Sequence, residues 1–255
     1  MYKNIIFDLD ETLVESFQAT NLLFEAIVAN NITDTSPLKF REVFRENLLD
    51  TMGRFKYEEF INYGIGTYDL FLHPQIDKYI AEDLAHKTKV KVLERTFKEL
   101  GLEYSAEQLD TIIADFQQFW VDYYTHISGA RLVLEQLRSS KYNLFILTNG
   151  FLDIQNMKIK QSNLAKYFQR VLVSEEVREG KPSEKPFLHL IEEENLNPAE
   201  TIMIGDSLNS DYLPAEQIGI YSLLLDRYNV YEQVEQVNIV KSLDEAFEKI
   251  TSLQL

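Results

Sequence analysis

The stretch NIIFDLDETLVES, residues 4–16, decides the fold of this chain. Its apolar first residues predict a short strand that is buried on both faces. Two aspartates, Asp8 and Asp10, follow this strand directly. A pair of like charges at the end of a buried strand is unfavourable unless a cation lies close to it. The stretch therefore predicts a buried strand that ends at an acidic, cation-binding site.

Four later apolar runs are also short and almost free of polar alternation, which is typical of a parallel sheet covered by helices. The five predicted strands are residues 4–9, 143–149, 170–175, 201–206 and 221–226. Helices are predicted at residues 152–168, 186–196 and 213–219. A last helix begins at a capping box formed by Ser242 and Glu245. We therefore predict an α/β fold with a doubly wound parallel sheet.

The segment between the first two strands has a different pattern, with long helical periodicities and no predicted strand. Its helices are predicted at residues 17–31, 38–51, 74–100 and 105–126. We expect a catalytic core of residues 1–15 and 128–255, with an inserted all-helical cap domain of residues 16–127. An insertion at the carboxyl end of a strand lies over the crevice in which α/β folds bind ligands.

Composition limits the classes of function. The 255 residues carry a formal net charge of −16, which disfavours nucleic-acid polymers as partners. The absence of cysteine excludes disulfides, zinc thiolate sites and thiol nucleophiles. Neither a secretory signal nor a membrane-spanning segment is predicted, so we expect a soluble, cytoplasmic protein without membrane partners. The sequence makes no prediction of the oligomeric state.

Polar residues follow the predicted strands, and parallel strands bring such residues to one edge of the sheet. Asp8, Asp10 and Asp206 are expected to converge there, with Asp211 close behind. Several carboxylates in a partly buried crevice require a positive ion, and a donor set made only of oxygen favours Mg²⁺. With Lys181 and a hydroxyl group nearby, this set provides the groups that phosphoryl transfer requires.

The chain resembles the haloacid dehalogenase-like (HAD) hydrolase superfamily in four motifs that occur in order. These motifs are FDLDETL (7–13), LTNG (147–150), Lys181 of GKP, and GDSLNSD (205–211). Each motif lies at the end of a predicted strand, so the resemblance is much more specific than a single pair of aspartates. The local sequences LTNGF and SEEVREGKP are similar to those of the helical-cap phosphatases, including the pyrimidine 5′-nucleotidases.

The resemblance implies a catalytic or substrate-binding role for five residues. Asp8 is expected to attack phosphorus and to form an aspartyl-phosphate. Asp10 is expected to protonate the leaving oxygen and then to act as the base that activates water. Thr148 and Lys181 are expected to bind the transferred phosphoryl group, with assistance from the backbone N–H of Asn149.

The resemblance also implies a metal site. Mg²⁺ is expected to be held by the side chains of Asp8 and Asp206 and by the backbone carbonyl of Asp10. Asp211 is expected to orient a metal-bound water or Lys181. Asp10 can retain a proton near neutral pH only beside another negative charge, such as that of Asp8, or in an enclosed site.

Two lysines in the sequence GKPSEKPF are candidates for the lysine of the third motif. Lys181 has the spacing of the family to Phe187, whereas Lys185 falls within the next predicted helix. We therefore predict that Lys181 is the residue in the site.

The sequence thus predicts a Mg²⁺-dependent phosphomonoesterase that acts on a small phosphorylated metabolite. A 5′-nucleotide is the first candidate substrate and a sugar phosphate is the second. The acid at Asp10 favours phosphate esters over haloacids, because a halide leaves without a proton. Two alternatives remain open: a phosphomutase, which returns the phosphoryl group to another hydroxyl, and a non-catalytic Mg²⁺-binding protein whose cap binds a partner.

Overall fold

The structure is a computed structural model that describes residues 1–53, 68, 71, 82–119 and 122–253. The chain divides into two compact units. The core unit comprises residues 1–15 and 125–253, and the helical unit comprises the described residues between them.

Within the described part of the core unit, six parallel strands form one sheet. In chain order they are β1 (Asn4–Phe7), β2 (Asn143–Thr148), β3 (Arg170–Val173), β4 (Thr201–Gly205), β5 (Tyr221–Leu225) and β6 (Ile239–Val240). Their order across the sheet is β3-β2-β1-β4-β5-β6. The predicted α/β fold with a parallel sheet is confirmed, although each predicted strand extends one or two residues beyond the observed one.

β1 lies inside the sheet, between β2 and β4, and all four of its residues are buried. Its last residue, Phe7, pairs with Ile146 of β2 and Ile204 of β4. The residues that follow these three strands therefore leave the sheet at similar levels of the same edge. This register places Asp8 beside the ends of β2 and β4.

Helices are the regular elements among the described residues of the helical unit. They are α1 (Ser16–Asn31), α2 (Pro37–Gly53), α3 (Glu82–Leu100) and α4 (Ala106–Phe119). Ser36 and Ser105 each accept a hydrogen bond from a backbone N–H three residues later, at the starts of α2 and α4. Residues 74–81 of the predicted third helix lie outside the described residues. α4 ends at Phe119, before the predicted end of the fourth helix.

Buried aromatic side chains form the core of the helical unit. Phe24 of α1, Phe44 of α2 and Phe116 of α4 meet with ring centroids 5.3 to 5.4 Å apart. Phe71 lies 4.8 Å from Phe44 in an edge-to-face arrangement. Aromatic pairs at such distances each contribute about 0.5–1.5 kcal/mol beyond the burial of their area. Aromatic packing therefore holds these helices together.

Six further helices belong to the core unit in its described residues; five lie between strands and the last one follows β6. They are α5 (Ala130–Ser139), α6 (Leu152–Gln161), α7 (Ser174–Val177), α8 (Lys185–Glu193), α9 (Leu213–Gln217) and α10 (Leu243–Ser252). The helix predicted over residues 152–168 is wrong in its second half. Asn163 adopts a left-handed φ of 56°, and a separate 3₁₀ turn follows α6.

Two other features of the core helices differ from the prediction. The first is α5, which was not predicted. The second is the capping box of α10. Ser242 Oγ accepts a hydrogen bond from Glu245 N as expected, but the Glu245 side chain accepts from Lys241 N instead of from Ser242 N. None of the helices within the described residues combines the length and apolar character needed to cross a membrane.

The two segments that lead into and out of the insertion run side by side within the core unit. Glu15 N donates to Thr125 O at 2.9 Å, and Ile127 N donates to Leu13 O at the same distance. Arg227 Nη1 also donates to the Glu15 carboxylate at 2.8 Å. The insertion therefore begins and ends at adjacent points of the core unit.

Candidate active site

Three carboxylates lie together at the carboxyl edge of the sheet. Asp8 follows β1, Asp206 follows β4, and Asp211 lies in the π-helical turn Leu208–Tyr212. One oxygen atom of each carboxylate lies within 4.8 Å of the other two. The topology thus brings together residues that are separated by about two hundred positions in the sequence.

Lys181 supplies a positive charge to this cluster. Its buried Nζ lies 2.7 Å from Asp8 Oδ1 and 2.5 Å from Asp211 Oδ1. Burial lowers the pKa of Lys181, but the two carboxylates outweigh burial and hold this pKa above its ordinary value. Lys185 instead lies at the exposed start of α8, where its Nζ is 3.4 Å from Glu179. Of the two candidate lysines, the structure places Lys181 in the site.

The cluster contains more carboxylates than Lys181 can neutralise. Burial raises the pKa of Asp8 to about 7; the Lys181 charge opposes this rise, and repulsion from Asp211 adds to it. Burial, followed by repulsion from Asp8, raises the pKa of Asp206 to about 8. A bound cation would relieve this repulsion, and oxygen ligands of this kind suit Mg²⁺. The residues present therefore fit a divalent cation.

Both oxygens of Asp211 are engaged by the protein. Oδ1 binds the Lys181 ammonium, and Oδ2 accepts a hydrogen bond from Ser207 N at 3.0 Å. Gly205 makes this arrangement possible, because a Cβ atom at this position would overlap the Asp211 side chain. Asp211 therefore fixes the ammonium of Lys181 relative to the turn that follows β4.

Asn149 ties the loop after β2 to the loop that carries Lys181. Its Nδ2 donates to Lys181 O and its Oδ1 accepts from Lys181 N, both at 2.8 Å. This side-chain contact was not predicted, since only the backbone N–H of Asn149 was considered. Thr148, at the buried end of β2, accepts a hydrogen bond from Gln155 Nε2 at 2.6 Å.

The carboxylate of Asp10 contacts helix α6. Lys158 Nζ lies 2.8 Å from Asp10 Oδ1 and 3.1 Å from Oδ2, and Gln155 Nε2 lies 2.9 Å from Oδ2. The sequence-based expectation considered the charge of Asp8 and an enclosed site as the surroundings of Asp10, and it overlooked Lys158 and Gln155.

Lys158 and Gln155 were not identified from the sequence. They are three residues apart and lie on the buried face of α6 together with Ile159. The sequence did contain a signal that could have identified them, since both lie within the apolar stripe of a predicted helix. Long polar side chains are rarely buried without a partner, so a lysine and a glutamine in such a stripe indicate a buried polar contact.

Arg227 forms a second ionic contact that was not predicted. Its Nη2 donates to Glu11 at 2.9 Å, and its Nη1 donates to Glu15 at 2.8 Å. Glu11 has a left-handed φ of 59°, which turns the chain directly after the aspartate pair. Arg227 thereby anchors the loop that carries Asp10.

A parallel α/β sheet whose carboxyl edge brings together three aspartates and a buried lysine defines a candidate cation-binding site at that edge. A sequence model described as haloacid dehalogenase-like hydrolase matches residues 2–219. The chain belongs to this family.

Individual relatives are similar to nearly the whole chain. The pyrimidine 5′-nucleotidase PynA of Streptococcus pneumoniae is 26% identical over 265 residues, which cover 98% of this chain and 99% of that protein. The glyceraldehyde 3-phosphate phosphatase of Pyrococcus abyssi is 24% identical over 220 residues, which cover 86% of this chain and 79% of that protein.

A solved structure shows the same fold. The magnesium-bound HAD-hydrolase YfnB of Bacillus subtilis has a TM-score of 0.66 and 18% identity to this chain. The match covers 98% of this chain and 99% of that one. At this level of identity the likeness concerns the fold alone.

Proposed function

We propose that this chain is a Mg²⁺-dependent phosphomonoesterase that acts on a small phosphorylated metabolite. The observation that carries the proposal is the buried contact of Lys181 with Asp8 and Asp211, with Asp206 close to both carboxylates. The names of the two similar proteins support a 5′-nucleotide as the first candidate substrate and a sugar phosphate as the second.

The two domains expected from the sequence have separate roles in this proposal. Residues 1–15 and 128–255 form the catalytic core, and residues 16–127 form a cap domain. The cap supplies the side chains that select the alcohol part of the substrate, while the core binds the phosphoryl group. This assignment is supported by the insertion point, because the insertion begins at residue 16, in the segment that follows β1 and contains Asp8 and Asp10.

The side chains of Asp8 and Asp206 and the backbone carbonyl of Asp10 would hold Mg²⁺. When bound, Mg²⁺ offsets the negative charge of the phosphoryl group as a carboxylate approaches it. The raised pKa values of Asp8 and Asp206 support this assignment, because they reflect negative charge that Lys181 alone leaves uncompensated.

The first chemical step transfers the phosphoryl group to Asp8. A carboxylate oxygen of Asp8 attacks phosphorus, and the bond from phosphorus to the alcohol oxygen breaks as the new bond forms. Asp10 gives its proton to the departing oxygen. Lys181 and the hydroxyl group of Thr148 bind the phosphoryl oxygens, on which negative charge accumulates.

The second step hydrolyses the aspartyl-phosphate. Asp10, now a carboxylate, accepts a proton from water while the water oxygen attacks phosphorus. The bond between phosphorus and Asp8 breaks, so inorganic phosphate leaves and the Asp8 carboxylate is restored. Asp10 is again protonated and ready for the next cycle.

A phosphate-release screen tests the proposal. Nucleoside 5′-monophosphates, sugar phosphates and phospho-acids are incubated with the protein and Mg²⁺, and inorganic phosphate is measured. Asp8→Asn is isosteric but a poor nucleophile, so it should lower the rate by at least about 10³-fold. Asp122→Asn, which alters an exposed aspartate, serves as the matched control. EDTA should abolish the activity and Mg²⁺ should restore it.

Three results would contradict the proposal. Near wild-type turnover by Asp8→Asn would exclude Asp8 as the nucleophile. Isomerisation of a sugar phosphate without release of inorganic phosphate would favour the phosphomutase alternative. Mg²⁺ binding without turnover of any substrate class would favour the non-catalytic alternative.

A further inference from the structure

We propose that Gln155 and Lys158 are positioning residues that hold Asp10 and Thr148 in place for phosphoryl transfer. We call this pair the α6 clamp. The inference rests on the proposed function, and it assigns a task to two buried polar residues that the phosphatase mechanism described above does not use.

Lys158 fixes the orientation of the Asp10 carboxylate. Its Nζ contacts both carboxylate oxygens, at 2.8 and 3.1 Å. The Lys158 side chain is only 5% exposed, whereas that of Asp10 is 32% exposed. The ammonium therefore approaches from the protein side and leaves part of the carboxylate accessible from solvent, where a leaving group or a water molecule would have to reach it.

Stability does not account for a lysine at this position. The desolvation of a buried ammonium opposes folding, and an ion pair of this kind often contributes less than a well-packed apolar side chain. The neighbours Ile154 and Ile159 show that this face of α6 packs against the core as an apolar surface. A positioning role explains why Lys158 is directed at Asp10 from such a surface.

Gln155 links the ends of two strands through one amide group. Its Nε2 lies 2.6 Å from Thr148 Oγ1, 2.9 Å from Asp10 Oδ2 and 3.0 Å from Asn149 O. Its Oε1 is buried and has no hydrogen-bond partner among the described residues. An unpaired buried oxygen carries a free-energy cost, so the site retains Gln155 for its donor group.

The contact with Gln155 also orients the hydroxyl group of Thr148. A hydroxyl has one proton to donate and oxygen lone pairs that accept. Because Gln155 donates to the oxygen of Thr148, the hydroxyl proton is directed away from Gln155, and it is donated to Asn149 O at the long distance of 3.4 Å. We infer that this weak contact gives way when a phosphoryl oxygen binds. Gln155 thus acts on the phosphoryl-binding group and on the acid-base group at the same time.

Gly150 provides the space for this arrangement. A Cβ atom at Gly150 would lie 3.1 Å from both Cγ and Cδ of Gln155, and the φ of Gly150 is +138°. The last residue of the LTNG motif is therefore adapted to the Gln155 side chain. The motif and the α6 clamp form one packed unit.

The test for Lys158 compares two phosphate esters with different leaving groups. An alkyl phosphate needs a proton from Asp10 when it departs, whereas p-nitrophenyl phosphate needs little. Lys158→Met should lower kcat/KM about 10²-fold for the alkyl ester, because a displaced acid is a poor proton donor. The loss for p-nitrophenyl phosphate should be less than about 5-fold, since Asp10 contributes little to its first step.

The control variants separate positioning from general disruption. Lys160→Met changes an exposed lysine of the same helix and should leave both rates unchanged. Lys158→Arg keeps a cation beside Asp10 and should restore the wild-type ratio of the two rates. In an Asp10→Ala background, Lys158→Met should cause no further loss, because its effect acts through Asp10.

For Gln155 we expect a loss of activity with both esters, unlike the loss expected for Lys158. Gln155→Glu removes the donor to Thr148 and Asp10, so kcat/KM should fall about 10²-fold for both esters. Gln161→Glu, on the exposed end of α6, is the matched control and should have no effect. Circular dichroism of each variant checks folding; if Gln155→Glu does not fold, Gln155→Asn, which keeps a shorter amide, replaces it and should also lose both activities.

The outcomes distinguish this inference from the proposed function. Suppose that Asp8→Asn abolishes turnover, but Lys158→Met lowers kcat/KM equally for both esters or for neither. In that case the α6 clamp is wrong and the phosphatase assignment stands. An additional loss from Lys158→Met in the Asp10→Ala background would also overturn the clamp. If the wild-type protein hydrolyses no ester, the proposed function fails first.

Discussion

The core unit and the helical unit bury different kinds of side chain. At the carboxyl edge of the core sheet, Lys181 is enclosed with Asp8 and Asp211, and each contact is a directional hydrogen bond. In the helical unit, Phe44 and Phe116 pack with other rings through contacts that depend on shape. Directional polar contacts tolerate little displacement, whereas apolar packing tolerates substitutions that conserve volume.

This difference explains where sequence motifs occur in the chain. All four family motifs lie in the core unit, because phosphoryl chemistry requires particular groups at particular distances. The helical unit carries no comparable motif, since many combinations of apolar residues can fill its core. We therefore expect substitutions in the core site to affect activity most, and buried substitutions in the helical unit to affect stability most.

Lys181→Met should have the largest effect. It leaves Asp8 and Asp211 without their buried cation, which should abolish activity and destabilise the fold by about 3–5 kcal/mol. Phosphate release and urea unfolding measure the two effects. Lys185→Met, at the exposed lysine of the same loop, should change stability by less than about 0.5 kcal/mol. Similar behaviour of the two variants would contradict the assignment of Lys181.

Phe44→Ala tests the helical side of the comparison. Removing this buried ring from its aromatic neighbours should cost about 3–5 kcal/mol of unfolding free energy. The measurement is urea unfolding followed by far-ultraviolet circular dichroism. Leu38→Ala, at a side chain that is 57% exposed, should cost little. An undiminished unfolding free energy for Phe44→Ala would show that the aromatic cluster does not hold these helices together.

Gly205→Ala should damage activity more than stability. The added methyl group would displace Asp211, and with it the ammonium of Lys181, so kcat should fall about 10²-fold. Gly219→Ala provides the contrast, because Gly219 has a φ of +83° and no atom near the new methyl group. It should cost about 1–2 kcal/mol of stability through backbone strain but preserve kcat. A fully active Gly205→Ala enzyme would argue against a need for this close approach.

The dependence of stability on pH tests the crowded carboxylates of the core site without changing Lys181. The pKa values of Asp8 and Asp206 are raised to about 7 and about 8 from an ordinary value of 3.8. Between about pH 4 and pH 8 the folded protein without metal therefore binds more protons than the unfolded chain, and these groups make its stability fall as pH rises. Mg²⁺ should reduce this fall by neutralising the carboxylates.

Differential scanning calorimetry at pH 5 and pH 8, with EDTA or Mg²⁺, measures the effect. Asp206→Asn removes one titrating group, so its Tm without metal should exceed that of the wild type more at pH 8 than at pH 5. The exposed Asp122→Asn variant should show no such difference. If the increase in Tm caused by Asp206→Asn were larger at pH 5 than at pH 8, the direction of the pKa shift of Asp206 would be wrong.

Much of the core fold was predictable because buried parallel strands leave continuous apolar runs in the sequence. β1 and β4 were found in this way. β6, with two residues, is too short to produce a pattern, and α5 was overlooked although its buried residues recur at helical spacing. Strand ends were predicted too late because the polar residues that follow each strand were counted with it.

The candidate site was predictable only where residues belong to a motif at a strand end. The sequence pointed to Asp8 and Lys181, and the topology places them in contact. Gln155 and Lys158 were missed because helical periodicity does not reveal which polar residue of a buried stripe points to a neighbouring loop. Arg227 was missed because its partner Glu11 is 216 residues away in the chain.

The adjacent hydrogen bonds at Glu15 and Thr125 have a consequence for how this architecture diversifies. Because the chain departs and returns at neighbouring points, a segment of any length with closely spaced ends can replace residues 16–124 without altering the register of the sheet. Grafting the corresponding insertion of a relative between these two anchor points would therefore test the proposal that the insertion sets substrate preference while the core unit carries out the reaction.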